Sequence, residues 1–502
     1  MEETKQIDWK KLFGALLLGL LVFCCVTFVS ECSFCYRMNE WDDVNCFHTV
    51  AMAMQNGKVL YRDIYEQKGL YLYAFHVLAL YISNGTYFGI YLFELIAGWF
   101  FAFFCFKTLR LFGLSYNRSI LGTMPILLGY YISIAFWLGD SVEEFALPMY
   151  AFSLYILLKK AKTNYDIPFY QIFLSGVLCG FLFLSKFTLV AFYLGFGLVV
   201  FIWEVRDKKT ARGFIDAAVF IVGFLLSCLP CLLYFSFNGA LNDLFQVYFY
   251  NNLFYYSDHG SPNIFMQLLI SLGVFFAHTG FGWGYTLMNL TGFIYFVFIR
   301  REWKNRVFMA IMTTFGTITL CLILGRVHYT YYGLPYAIFA FTGVLAIHDI
   351  SIRYKGFGNF IQKYKKAFGI ASISTMFLLS FFGSPNMPVM FKSKEDMVQF
   401  KMKEIILQEE NPTILNYGFL DGGLYYLCQS IPECKFFCGL NSNDPSIEET
   451  QQAFIDEGKT TFIVAVNEAP KNITLHYTLV FSEVYSVRYE TREYLLYKRI
   501  KN

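Results

Sequence analysis

Residues 12–29 read LFGALLLGLLVFCCVTFV, a run without a single charge. About 20 mostly apolar residues let an α-helix cross the hydrocarbon core of a bilayer. Lys5, Lys10 and Lys11 precede the run, as in a signal peptide, but no small-x-small cleavage site follows it. It reads as an uncleaved first helix, because the pattern then repeats. Further apolar runs lie at Phe88–Phe106, Ile120–Leu138, Phe145–Leu158, Phe169–Ser185, Phe187–Trp203, Ala217–Phe237, Gly284–Ile299, Val307–Leu324, Gly333–Ile347 and Ala367–Ser384. The composition agrees. Of 502 residues, 56% are hydrophobic, 20% aromatic and only 15% charged, where a soluble domain carries about 25% charged residues. Mean hydropathy is +0.45. One soluble core could not hide that much apolar surface, and a disordered chain would not contain it. A net charge of +3 gives no nucleic-acid signal. The fold class is a polytopic α-helical membrane protein of about eleven transmembrane helices.

Two shorter runs, Leu70–Ile82 and Ile264–His278, are ambiguous, since counting either as a crossing inverts the sidedness of all that follows. Left as interfacial or re-entrant helices, they place every basic cluster on one side. The clusters are Lys107/Arg110/Arg118, Lys159/Lys160/Lys162, Arg206/Lys208/Lys209/Arg212, Arg300/Arg301/Lys304/Arg306 and Arg353/Lys355/Lys363/Lys365/Lys366. The positive-inside rule then predicts a cytoplasmic N-terminus in a plasma-membrane protein. A first loop from Ser30 to about Tyr87 and a tail from Pro385 to Asn502 fall outside the cell. The expected organisation is a membrane domain over 1–384 and a small extracytoplasmic α/β domain over 385–502. In the tail, Lys394–Gln408 has helical spacing, and Thr413–Tyr417, Thr461–Val466 and Glu493–Lys498 read as strands.

Seven of the thirteen cysteines sit in spans as small apolar residues. Cys32, Cys35, Cys46, Cys428, Cys434 and Cys438 are predicted outside, where disulfides form, but spacing does not set a pairing. Cys32-x-x-Cys35 lacks a partner pair at zinc spacing.

The first loop holds the residues with chemical potential. Val44, Phe47, Val50, Ala51 and Met54 share one face of a predicted interfacial helix that begins near Asp42 and Asp43. Asp43 is either a helix cap or a carboxylate presented at the mouth of a membrane cavity. Asp63 and Glu66 could orient Arg62 and Lys68, or be solvated. Asp140, Glu143 and Glu144 follow the third span and could position hydroxyls or support a divalent cation, though two or three carboxylates are not a diagnostic metal set. No metal site is assigned. Glu94, within the second span, suits pairing or packing. Lys186, between two spans, either marks a site or reaches the interface. The aromatic stretch Tyr248–Tyr256 serves either as a sugar-stacking surface or as a belt at headgroup level.

Asp43-Val-Asn45, Phe47, Asn56-Gly-Lys-Val, Tyr61-Arg-Asp63 and Glu66-Gln-Lys-Gly69 resemble the first external loop of the GT-C superfamily of polyprenyl-phosphate-sugar-dependent glycosyltransferases. That superfamily includes protein O-mannosyltransferases and the aminoarabinose transferase of lipid A. The segment Gly139–Pro148, Lys186-Phe-Thr188 and Gly325-Arg-Val-His-Tyr329 fit a bacterial branch of it, while Leu70 departs from that branch's proline. The resemblance implies a catalytic base at Asp43, with Asp42 as the adjacent alternative, and a donor-phosphate contact at Lys68. Arg326 and Arg62 are candidate further phosphate contacts. Glu66, Asp140, Glu143, Glu144, Lys186, His328 and Tyr329 would position substrate. Arg326 also suits snorkelling from a helix end, and His328 a structural role. The implied activity is inverting transfer of a sugar from a polyprenyl-phosphate carrier to an extracytoplasmic acceptor: a glycan, a teichoic-type polymer, a lipid or a protein. The rival reading is a lipid-linked sugar flippase, transporter or polysaccharide ligase. Flippases and transporters tend to place polar groups near the bilayer midplane and to carry internal repeats, and here none is evident.

Overall fold

The computed structural model describes residues 9–163, 165–254, 264–301, 305–325, 329–353, 365–440, 442, 444–487 and 490–500. In chain order, α1 spans Trp9–Val29, α2 Asp42–Gln55, α3 Leu70–Ile82, α4 Phe88–Leu111, α5 Tyr116–Tyr131, α6 Val142–Thr163, α7 Phe169–Phe183, α8 Ala191–Arg206 and α9 Thr210–Phe237. Helices Ile264–Phe281, Trp283–Ile294, Arg306–Gly325, Phe341–Arg353 and Lys365–Phe382 follow. Each of the apolar runs read from the sequence falls on one of these helices or its direct extension. Among the described residues five helices are long and apolar enough to cross a membrane by length and composition, or six if the pair Thr330–Phe339 and Phe341–Arg353, bent by 43°, is one span. Shorter apolar helices, Leu70–Ile82 among them, accompany these.

The chain divides into two compact units. One comprises Met1–Ser33, Tyr91–Ser227 and Ser261–Met387; the other comprises Phe34–Ile90, Cys228–Gly260 and Pro388–Asn502. The second unit therefore groups the first loop with the tail.

In the first unit, small residues let helices approach closely, as is usual where lipid supplies no hydrophobic drive between them. A Cβ on Gly284 would fall 2.7 Å from the Gly129 Cα, and one on Gly176 would fall 2.1 Å from the Phe220 carbonyl oxygen. The turn entering α6 is built from left-handed residues, with φ of 60° at Trp137, 88° at Gly139 and 61° at Asp140. Gly139 is required there, since a Cβ would lie 2.4 Å from Glu94 Oε1.

In the second unit, a four-stranded sheet has the order β1-β2-β4-β3, with β1 Ile414–Tyr417, β2 Phe462–Val466, β3 Tyr477–Val487 and β4 Glu490–Arg499. The β1–β2 pair is parallel and the other two are antiparallel. The predicted strands coincide with β1, β2 and part of β4. β3 escaped the sequence reading; it lies at the sheet edge with Leu479 and Val484 exposed, so its alternation gives no clear buried face. The helix expected over Lys394–Gln408 is present as Val398–Ile406.

Candidate active site

The second unit assembles the first-loop residues around α2. Its N-cap is Trp41, not Asp43, and the Trp41 N–H is held by Asn39 Oδ1 at 2.9 Å. α2 is covered on its polar face as well as its apolar one: Asn45, His48 and Thr49 are as buried as Val44 and Phe47. The tail supplies part of the cover. Thr49 Oγ1 donates to Asp421 Oδ2 at 2.5 Å, and the His48 ring lies 4.7 Å from that of Tyr426. A helix read as half-exposed at an interface is thus enclosed: Asp421 pairs with Thr49 and Tyr426 packs on His48, while Tyr87 and the Asn39 carbonyl pair with Asn45.

Lys68 is held on several sides. Its Nζ lies 3.0 Å from Glu66 Oε1 and 4.0 Å from Asp43 Oδ1, and sits 5.3 Å above the Phe47 ring. Its backbone N–H donates to Glu66 Oε2 at 2.8 Å, and its carbonyl accepts from the Tyr61 hydroxyl at 2.5 Å. The Lys68 and Asp43 side chains keep 15% and 13% exposure, against 3% for Glu66. One cation therefore stands between a buried carboxylate that fixes it and a more accessible one on α2.

The segment leading to Lys68 is fixed by residues whose role the sequence did not reveal. Asn251 Nδ2 donates to the Tyr65 hydroxyl at 3.0 Å, and Asn252 Nδ2 donates to the Gln67 carbonyl at 2.8 Å. Both asparagines come from the aromatic stretch read as a belt or a stacking surface. Tyr248 there is buried, while Tyr250 and Phe254 are exposed; residues 255 and 256 lie outside the described residues. Tyr61 stacks on Phe235 with centroids 5.3 Å apart.

The two adjacent aspartates have different surroundings. Asp42 accepts a two-pronged contact from Arg492, at 3.0 and 3.3 Å. Burial raises the Asp42 carboxyl above its ordinary range, and the Arg492 guanidinium opposes that. Arg492 comes from β4, 450 positions further along the chain, so no local pattern could have announced the pair. Asp43 faces Lys68 instead.

Arg62 is turned to other partners. It binds Asp63 at 2.8 Å and the Asn238 carbonyl at 2.8 Å, and its side chain is 45% exposed. The hydrogen bond from Arg62 holds the Asp63 carboxyl down at about 2. Asp421, by contrast, is pushed up to about 6 by burial, although Thr49, the Gly423 N–H and Asn416 all donate to it. His48 is held well below the usual imidazole range by burial and by His76.

The remaining candidates lie in the first unit. Lys186 Nζ pairs with Glu143 Oε1 at 2.5 Å and lies 3.8 Å over the Tyr332 ring and 5.1 Å over that of Tyr331. Tyr329 stacks on Tyr331 at 5.6 Å. The Asp140 N–H donates to Glu94 Oε1 at 2.9 Å and to Glu144 Oε2 at 3.1 Å, and Ser30 Oγ donates to Glu94 Oε2 at 2.6 Å. These carboxylates are the oxygen donors that magnesium, calcium or manganese would prefer. The Asp140 N–H bridges Glu94 and Glu144, whose carboxyl groups also share a side-chain hydrogen bond. Arg326 and His328 lie outside the described residues.

The architecture resembles that of a solved structure. The chain is similar to the crystal structure of ArnT from Cupriavidus metallidurans bound to undecaprenyl phosphate, with a TM-score of 0.63 at 12% identity over 97% of this chain and 98% of that one. It is similar to the apo state of the same protein with a TM-score of 0.61, again at 12% identity, over 97% of each. The fold is thus that of the ArnT structures. No curated protein matches the chain in sequence. Residues 2–403 match the family described as the competence-induced protein Ccs4 N-terminal domain, and the chain belongs to that family.

Proposed function

We propose that this protein is a glycosyltransferase that moves a sugar from a polyprenyl-phosphate carrier to a hydroxyl on an extracytoplasmic acceptor, with inversion. The observation that carries the reading is the Asp43–Lys68–Glu66 arrangement, with Lys68 Nζ 4.0 Å from Asp43 and 3.0 Å from Glu66, in a chain with the ArnT fold. ArnT's own structure contains undecaprenyl phosphate, which favours a lipid-phosphate donor here.

The chemistry needs few groups. Asp43 takes the proton from the acceptor hydroxyl as its oxygen attacks the anomeric carbon. The bond from that carbon to the phosphate oxygen breaks, and the polyprenyl phosphate leaves with the electron pair. Lys68 balances the charge that develops on the phosphate, and Glu66 keeps Lys68 in place. Arg326 is assigned as a second phosphate cation. The Lys186–Glu143 pair and the tyrosines beside it position the sugar or the acceptor. Asp42 serves to hold β4 through Arg492. In this reading the N-terminus is cytoplasmic and residues 385–502 are extracytoplasmic.

The test is native mass spectrometry of the purified protein beside Lys68→Ala. The expected result is a co-purified polyprenyl-phosphate sugar in the wild type that the variant loses, followed by turnover of that donor by the wild type. Retention of a pyrophosphate-linked oligosaccharide, with lipid movement and no sugar transfer, would overturn the reading in favour of a flippase or ligase.

A further inference from the structure

Away from every residue assigned above, the first unit contains an open-sided cavity of about 490 Å³ between α1, α4 and α6, lined also by Tyr116 at the start of α5. Its walls are apolar and aromatic, chiefly Leu18, Phe103 and Phe106, and Lys107 and Arg110 from the end of α4 also line it. Tyr116 reaches this position because α1 carries glycine opposite it: a Cβ on Gly14 would lie 1.6 Å from the Tyr116 hydroxyl oxygen.

Among the described residues, no carboxylate pairs with either cation. Lys107 Nζ lies 5.6 Å from the Tyr155 ring centroid and 6.0 Å from that of Phe103, over rings rather than carboxylates. Arg110 donates through Nη1 to the Leu114 carbonyl at 2.5 Å, which leaves most of its five N–H donors available. Among the described residues neither side chain forms an ion pair. Two like charges lining one cavity call for an anion. The apolar walls, and the exposed Leu12, Phe13, Leu16 and Leu20 on α1, call for hydrocarbon beside it. A basic pocket between membrane helices is the form that recognition of acidic lipid headgroups takes.

We infer that this cavity binds an anionic glycerophospholipid, with its phosphate on Lys107 and Arg110 and its glycerol and first acyl carbons against Leu18, Phe103 and Phe106. Charge-assisted hydrogen bonds fix the phosphate. A zwitterionic lipid brings its own cation to the same cavity and is disfavoured by the two already there. The volume falls within the range of ligand pockets, about 300–1,000 Å³, so the headgroup enters while the chains stay in the bilayer along α1. The site is independent of the proposed transferase chemistry, since it shares no residue with it.

The test is native mass spectrometry of the full chain, delipidated and titrated with dioleoylphosphatidylglycerol or dioleoylphosphatidylcholine. The wild type is expected to prefer phosphatidylglycerol by at least about fivefold for each cation. Lys107→Gln/Arg110→Gln brings the two lipids to parity. Arg118→Gln, a basic residue of the same cluster outside the cavity lining, keeps the preference. Leu18→Trp narrows the cavity while leaving both cations and is expected to weaken the preference, which separates a built site from surface charge. Equal binding of both lipids by the wild type overturns the inference, as does a preference that survives in Lys107→Gln/Arg110→Gln or is undiminished in Leu18→Trp.

Discussion

Asp42 and Asp43 are chemically identical and adjacent, so replacing each by asparagine is a sharp test of the site. Asp42 and Arg492 side chains are only 16% and 15% exposed and share contacts of 3.0 and 3.3 Å. Asp42→Asn keeps one acceptor oxygen and loses the charge. Hydrogen bonds to charged groups are worth about 1.5–3 kcal/mol, but burial has already raised the Asp42 carboxyl, and removing that charge returns part of the loss. The net cost is about 1–3 kcal/mol, a midpoint shift of roughly 2–10 °C for a domain of this size. Asp43 is 4.0 Å from Lys68 Nζ, an attraction of about 4 kcal/mol at an effective dielectric of about 20 before desolvation is counted. Lys68 retains Glu66 at 3.0 Å, so Asp43→Asn shifts the midpoint less than Asp42→Asn does. On the proposed mechanism its effect falls on catalysis. Losing a general base costs about 10²–10⁴-fold in turnover, and the donor still co-purifies because Lys68 remains. The assays are thermal unfolding followed by tryptophan fluorescence, and transfer of labelled sugar from the co-purified donor class. The reasoning is refuted if Asp43→Asn turns over within about tenfold of the wild type while Asp42→Asn loses transfer at an unchanged midpoint.

Three further outcomes are expected. Asp421 has its carboxyl raised from 3.8 to about 6, so the stability this group contributes is present in full below about pH 4 and is lost as pH rises through 6. The pKa difference corresponds to about 3 kcal/mol, and Asp421→Asn should flatten that part of the stability–pH curve. The effect is read as the difference between variant and wild type, because buried His48 acts with the opposite sign, costing stability as pH falls below the ordinary imidazole range. Gly284→Leu forces a side chain onto the Gly129 backbone 2.7 Å away and should lower the unfolding midpoint by an amount equivalent to at least about 1–3 kcal/mol. Gly273→Leu, where nothing lies within 4 Å, should not. Cys46 and Cys438, with sulfurs 3.8 Å apart, are both buried and have raised thiol pKa values. Peptide mapping after iodoacetamide treatment should find them unlabelled in the folded protein and fully labelled in denaturant. Labelling at native pH as fast as that of the half-buried Cys35 would contradict the packing.

Much of this architecture is legible along the chain. Leu70–Ile82 is bounded in the structure where its apolar run begins and ends. The Thr413–Tyr417 and Thr461–Val466 strands appear within a residue of their expected limits as Ile414–Tyr417 and Phe462–Val466. The Glu66–Lys68 contact spans two positions, so a local reading could name both partners. α2 shows where such reading stops. Its apolar stripe of Val44, Phe47 and Val50 was visible, but burial of Thr49 depended on Asp421, 372 residues away, and that of Asn45 on Tyr87, 42 residues away.

Hydrophobic transfer is paid residue by residue, so a chain that is 56% hydrophobic, with uncharged runs long enough to span a bilayer, declares a helical membrane protein without reference to its fold. Ion pairing depends on which groups the fold brings within a few ångströms, and that is not a property of any window of sequence. Folding β4 beside α2 gives Asp42 to Arg492 and leaves Asp43 with Lys68. Asn251 and Asn252, a polar pair in an aromatic stretch, become the brace behind Tyr65 and Gln67. The membrane class was written in local composition; the different partners of two neighbouring aspartates were decided by contacts across the folded chain.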